Sequence, residues 1–121
     1  MTSPWSPNRL GNLAGQRIIV TGATNGVGLG TAAALAEAGA DVILAVRNTE
    51  LGRQRAAEIG GSTSVIKLDL ADLASVRAFP GLLDGEVDIL VNNAGVVTQH
   101  RTETVDGFEM MLGTNMLGPF A

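Results

Sequence analysis

Residues 17–28 read RIIVTGATNGVG. The first five, Arg17 to Thr21, are apolar and β-branched almost without a break, as a strand covered on both faces should be. Glycines then fall at Gly22, Gly26 and Gly28, and an alanine-rich stretch from Val27 to Ala38 runs on to a stop at Gly39. The pattern is strand, tight turn, helix. Gly22 permits the turn. Gly26 and Gly28 leave no side chain between the backbone and an approaching pyrophosphate. A helix N-terminus offers that anion free N–H groups and the positive end of its dipole. Thr24, Asn25 and Val27 fill the spaces between the glycines. Glycines in a strand-to-helix turn also serve packing alone, so the turn by itself leaves both readings open.

The same alternation recurs along the chain. Asp41 to Val46 (DVILAV), Ser64 to Leu68 (SVIKL) and Val87 to Val91 (VDILV) read as further buried strands. Helix patterns fill Thr49 to Ile59, ended by Gly60-Gly61, and Asp72 to Phe79, which opens on a capping residue and stops before Pro80. Strands alternating with helices predict parallel βαβ units. Right-handed crossovers then give an α/β, Rossmann-type doubly wound parallel sheet with strand order 3-2-1-4. A polar loop, Thr98 to Glu103, follows the fourth strand. An amphipathic segment broken by glycines and Pro119 runs from Thr104 or Val105 to the end, and Asp84-Gly85 and Asp106-Gly107 are turn signals.

Composition narrows the chemistry. The 121 residues include no cysteine and one histidine, His100, which excludes thiolate catalysis, disulfides and cysteine-ligated zinc. Twelve acidic residues against eight basic ones give a net charge of -4, and the arginines are scattered, so no nucleic-acid face is expected. No apolar run is long enough to span a membrane. Residues 1–14 are rich in proline, serine and asparagine and lack an apolar centre; they read as a loose leader ahead of a domain at 15–121. A cytoplasmic protein is the expectation.

Candidate site residues cluster where the strands end. The second strand runs into Arg47-Asn48, without the acidic residue that would hold a ribose 2′-hydroxyl. Arg47 suits a 2′-phosphate, or is a solvated surface arginine. Asp69-Leu70 follows the third strand, where the carboxylate could accept from an adenine amino group or cap the next helix. Asn92-Asn93-Ala94-Gly95 follows the fourth, where open α/β sheets bind ligands, although Asn-Ala-Gly alone is a turn. Asn115 lies in an apolar helical stretch, either as a bonded core amide or beside a kink at Pro119.

Taken together, Thr21-Gly22-x-x-x-Gly26-x-Gly28, Asp69, Asn92-Asn93-Ala94-Gly95 and Asn115 followed by Leu-Gly-x-Phe resemble the short-chain dehydrogenase/reductase family from about Leu13 onward. The VILAVRN and NxLGxF patterns are most similar to its retinol-dehydrogenase and protochlorophyllide-reductase-like branch. The resemblance implies NADP(H) in preference to NAD(H). Gly22, Gly26 and Gly28 would line the pyrophosphate, and Arg47 would meet the 2′-phosphate. Asp69 and Leu70 would flank the adenine, with Asn92 to Gly95 along the adjoining ribose. Thr21 would tie the glycine turn to the Asn-Ala-Gly turn, and Asn115 would hold a water in the proton relay. Val27 replaces the family's more usual isoleucine, and Pro119 stands where relatives often carry histidine.

The family's serine and Tyr-x-x-x-Lys pair have no counterpart. The chain has no tyrosine, and its one lysine, Lys67, sits in the third strand. The expectation is therefore the N-terminal, cofactor-binding part of an NADP(H)-dependent oxidoreductase, truncated after the fourth strand and inactive alone. A small carbonyl or alcohol substrate and homo-oligomers belong to full-length relatives. The alternatives are a non-enzymatic dinucleotide-binding module or sensor subunit, and a fragment without function. Val87 to Val91 is expected to form an unpaired apolar edge through which the isolated chain aggregates or pairs.

Overall fold

The computed structural model describes residues 3–121; Met1 and Thr2, the start of the expected leader, lie outside the described residues. Strand β1 (Arg17–Thr21) leads to helix α1 (Gly26–Glu37), β2 (Asp41–Val46), α2 (Thr49–Ile59), β3 (Thr63–Lys67), α3 (Leu73–Ala78) and β4 (Ile89–Val91). The sheet runs β3-β2-β1-β4 with every pair parallel, as the alternation predicted.

Strand periodicity divides the core in two. Ile18 and Val20 of β1, with Val42, Leu44 and Val46 of β2, face Ala32 and Ala36 of α1 and, at the edge, Ala56 and Ile59 of α2. Ile19, Ile43 and Ala45 face the other way, onto Leu68, Leu70, Phe79 and the Val76 side of α3. β1 and β2 are thus covered on both faces, which is why their sequences lack polar alternation. Close approach is enforced at Gly52, where a Cβ would lie 2.7 Å from Val46 Cγ2 and 2.9 Å from Val65 Cγ1.

Burial falls toward β4. In register, Ile18 pairs with Ile89 and Ile19 with Leu90. The two β1 residues are 0% and 3% exposed; their β4 neighbours are 43% and 52% exposed. Among the described residues β4 pairs with β1 alone, so its other edge is open and apolar.

Several boundaries differ from the sequence expectation: α1 is shifted one residue toward the N-terminus, to Gly26–Glu37, and α3 is one residue shorter at each end, at Leu73–Ala78. β3 is shifted one residue toward the N-terminus, to Thr63–Lys67. β4 is shorter and begins at Ile89. The residues before it meet β1 through Asp88, whose N–H donates to the Arg17 carbonyl and whose carboxylate accepts the Arg17 N–H at 2.8 Å. The last helical segment starts at Met110, not near Thr104. Thr104 is spent in a turn: its hydroxyl accepts from Phe108 N, its carbonyl from Gly107 N, and Gly107 sits at φ +85°. Such local bonds compete with helix formation. The segment then runs Met110–Leu112, widens into a π-helical turn over Gly113–Leu117, and closes as Gly118–Phe120.

Candidate functional site

A cleft of about 510 Å³ opens at the carboxyl ends of the strands, where the chain leaves the β1-β2-β3 side and crosses to β4. Open α/β sheets take their ligands at such switch points.

The cleft floor is tied together by Thr21. Its buried hydroxyl accepts from the Asn93 and Ala94 N–H groups, each at 3.0 Å, and reaches the Val91 carbonyl at 3.4 Å. The Asn93 side-chain amide donates back to the carbonyls of Thr21 at 3.0 Å and Gly22 at 3.3 Å. This lacing brings the two turns so close that two of the three glycines are required by the protein's own packing. A Cβ at Gly22, which has φ +64°, would lie 2.8 Å from Ala94 Cα. One at Gly28 would collide with the Asn93 amide nitrogen and the Gly22 carbonyl. Gly26 is different: at φ +55° it has nothing within 4 Å of its Cβ position and borders the cleft.

The N-terminus of α1 opens into this space. Asn25 makes no side-chain cap bond, and the first turn holds no acidic residue. By contrast Asn48 caps α2 through Leu51 N, and Asp72 caps α3 through Ala74 N at 2.9 Å. The leading N–H groups of α1 therefore remain for an anion from outside the chain. Arg47 stands exposed at the rim beside Asn48, and no ion pair engages it among the described residues.

Thr21, Gly22, Thr24, Asn25, Gly26, Val27 and Gly28 line the cleft, as do Arg47, Asn48, Leu70, Asn93, Ala94 and Gly95. Asp69 and Asn92 do not. The Asp69 carboxylate accepts the Ala71 N–H at 2.9 Å, and its own N–H donates to Ser75 Oγ at 2.9 Å. It holds the turn between β3 and α3, while the helix cap is Asp72. Asn92 is exposed. Asn115 lies in the π-helical turn, outside the cleft lining, and grips Val96 with both ends of its amide. Oδ1 accepts Val96 N at 2.8 Å and Nδ2 donates to Val96 O at 2.9 Å. The polar group in the apolar segment is thereby satisfied, and the last helix is pinned to the turn after β4.

Ala45, Leu51, Leu68 and Val96 also line the cleft and were not singled out in the sequence. Their only advance signal is position, just inside or after strand ends and in the first turn of α2. They give the cleft apolar walls beside a polar, cation-bearing rim. That combination can hold a flat apolar group and an anionic one together. Among the described residues no three His, Cys, Asp or Glu side chains gather as a metal site, and no helix is long and apolar enough to cross a membrane.

A family model described as short chain dehydrogenase matches residues 16–121. Human retinol dehydrogenase 11 is 47% identical over 116 residues, covering 89% of this chain and 36% of that protein. The chain spans about a third of the length of such curated relatives. The crystal structure of an uncharacterised protein from Mycobacterium Paratuberculosis superposes with a TM-score of 0.91 at 44% identity, covering 98% of this chain and 44% of that one. Two further solved structures carry cofactors. The RhlG/NADP active-site complex of Pseudomonas aeruginosa matches at TM-score 0.74 and 35% identity, over 90% of this chain and 44% of that one. The Brucella melitensis 3-ketoacyl-(acyl-carrier-protein) reductase complexed with NADH matches at 0.71 and 30%, over 90% of this chain and 47% of that one. With the glycine turn, the Thr21 lacing and the 3-2-1-4 sheet in place, the chain belongs to the short-chain dehydrogenase family.

Proposed function

We propose that residues 15–121 are the NADP(H)-binding part of an oxidoreductase acting on a small carbonyl or alcohol. The observation that carries this reading is the uncapped start of α1, which opens into the cleft with Arg47 at its rim. When bound, the nicotinamide supplies the hydride chemistry. The chain's residues do the binding. Gly26, Val27 and Gly28 present backbone N–H groups to the pyrophosphate, and Arg47 forms a charge-assisted fork with the 2′-phosphate. Leu68 and Leu70 supply apolar surface to the adenine, and Asn93 to Gly95 border the adjoining ribose. Asn115 holds the last helix against this wall and belongs to the proton relay.

The chain contains no tyrosine, and its lone lysine, Lys67, is in β3. In this reading the group that delivers the proton lies outside these 121 residues. Titration of the chain with NADPH and NADH, followed by nucleotide fluorescence, tests the proposal. NADPH should bind the more tightly. A chain that binds neither overturns the reading, and equal affinities overturn the NADP(H) preference.

A further inference from the structure

Arg55 stands on α2 one turn beyond Leu51, on the same helix face. Leu51 lines the cleft and Arg55 does not. Its Nε donates to the Thr24 carbonyl at 3.0 Å, across 31 residues of sequence. Its Nη1 donates to both carboxylate oxygens of Glu58, at 3.2 and 3.0 Å. The Arg55 side chain is two-thirds covered, with an exposure of 33%.

The turn it reaches is framed by two glycines. Gly22 and Gly26 both take left-handed φ values, of +64° and +55°. The Thr24–Asn25 peptide turns about ψ of Thr24 and φ of Asn25, so the glycine conformations on either side do not fix it, and its carbonyl needs a partner of its own. Asn93 holds the Gly22 carbonyl, and Leu29 N bonds the Asn25 carbonyl from inside α1. Between these two anchors the Thr24 carbonyl is held by Arg55. The Thr24–Asn25 peptide is trans, so its carbonyl and N–H point in opposite directions. Drawing the carbonyl toward a side chain outside the cleft turns the Asn25 N–H the other way. Without that bond the peptide can rotate and offer a carbonyl oxygen to an incoming anion.

We propose that Arg55 is a positioning residue for nucleotide binding, fixing the Thr24–Asn25 peptide in the orientation that accepts a pyrophosphate. The inference rests on the functional reading above, in which the glycine turn takes that group. The Glu58 carboxylate does the orienting: it takes one arm of the guanidinium and leaves Nε aimed at Thr24. An arginine suits the task because its planar fork serves two acceptors at fixed angles.

The test uses the full chain as wild type, Arg55→Leu, Arg55→Lys and Glu58→Gln, with NADPH and adenosine 2′-phosphate as probes. The second probe carries the adenine and 2′-phosphate but no pyrophosphate. Arg55→Leu should weaken NADPH at least about tenfold while leaving adenosine 2′-phosphate within about twofold, the scale of one lost charge-assisted bond. The loss should persist at high salt, where a through-space charge effect is screened. Arg55→Lys, which keeps a donor, should recover most of it. Glu58→Gln keeps Arg55 and removes a negative charge, which simple attraction would turn into tighter binding; positioning predicts NADPH weaker by about threefold, in line with a modest surface pair. NADPH unchanged in Arg55→Leu, equal losses for both probes, a loss that vanishes with salt, or tighter NADPH binding in Glu58→Gln would each overturn the assignment. A wild-type chain that binds neither probe overturns the functional reading and this inference with it.

Discussion

Helices α1 and α2 leave the same sheet on the same face, after neighbouring strands, yet their first turns are built in opposite ways. α2 is closed: Asn48 caps it through Leu51 N, and Glu50 lies in its first turn. α1 is open: the Asn25 side chain makes no cap bond, no acid stands in the first turn, and glycines stand at Gly26 and Gly28. A cap stabilises a helix by about 1 kcal/mol, and an acid in the first turn adds a few tenths. α1 forgoes both and gains a concave, donor-lined mouth. Stability and ligand affinity are thus divided between two adjacent helix starts, and the division can be tested by substitution.

The largest expected effect is at Gly28. Gly28→Ala places a methyl against the Asn93 amide and the Gly22 carbonyl, neither of which can yield without opening the Thr21 lacing. We expect NADPH binding to be lost and stability to fall by about 1–3 kcal/mol, as overpacking typically costs. Gly52→Ala on α2 meets only valine methyls. It should destabilise over the same range of about 1–3 kcal/mol yet leave the nucleotide Kd of the folded fraction unchanged. Urea unfolding paired with NADPH titration separates the two; loss of binding in both variants would erase the contrast.

Next in size is Arg47→Asp. An acidic residue at the end of β2 should cost NADPH about 1.5–3 kcal/mol relative to NADH, the range of a hydrogen bond to a charged group. Equal changes for the two nucleotides would show that Arg47 does not read the 2′-phosphate.

Capping gives a smaller, purely structural contrast. Asn48→Ala removes the Leu51 N–H acceptor and should destabilise the nucleotide-free chain by about 1 kcal/mol. Asn25→Ala removes no such bond and should stay within about 0.5 kcal/mol of wild type. Thermal melts of the two variants without nucleotide measure the difference. A comparable loss at Asn25 would mean that α1 is capped after all.

These contrasts also mark what the sequence made legible. β1 and β2 were readable because both their faces are covered, which leaves an unbroken apolar β-branched run. The glycine turn was readable because left-handed φ at Gly22 and Gly26 admits few other residues. The reason for Gly28 was not readable: its nearest neighbours are Asn93, 65 positions on, and the Gly22 carbonyl. The late start of the last helix was hidden for the same cause. Asp106, a turn residue by sequence, accepts the Leu73 N–H at 2.8 Å across 33 residues, so that stretch is held by α3 instead of entering the helix. Leu51 and Arg55 carry no motif, and only the placement of α2 brings one to the cleft and the other to Thr24.

The last helix supplies the smallest expected effect and the third kind of helix start. Glu109 caps it with both oxygens, Oε1 accepting Met111 N at 3.0 Å and Oε2 accepting Leu112 N at 2.8 Å. The Leu112 N–H, then the Met111 N–H, with the Arg101 charge adding, hold the Glu109 carboxyl below its ordinary value. A carboxyl whose pKa is depressed by folding contributes stability that is complete above its unfolded pKa and fades as pH falls through the folded one. Glu109 is half-buried and its carboxylate holds only the first turn of this segment, so the consequence is local. Amide exchange at Met111 and Leu112, taken relative to the intrinsic rate, should accelerate as pH drops below the ordinary glutamate range. In Glu109→Ala it should be fast and flat across the same range. The Val27 and Gly28 amides of α1 have no capping acid and should show no such step. Protection at Met111 and Leu112 that persists into acid would mean that the cap does not hold this helix start. A step at Val27 would mean that a carboxylate reaches the mouth of α1, which would compete with any anion bound there.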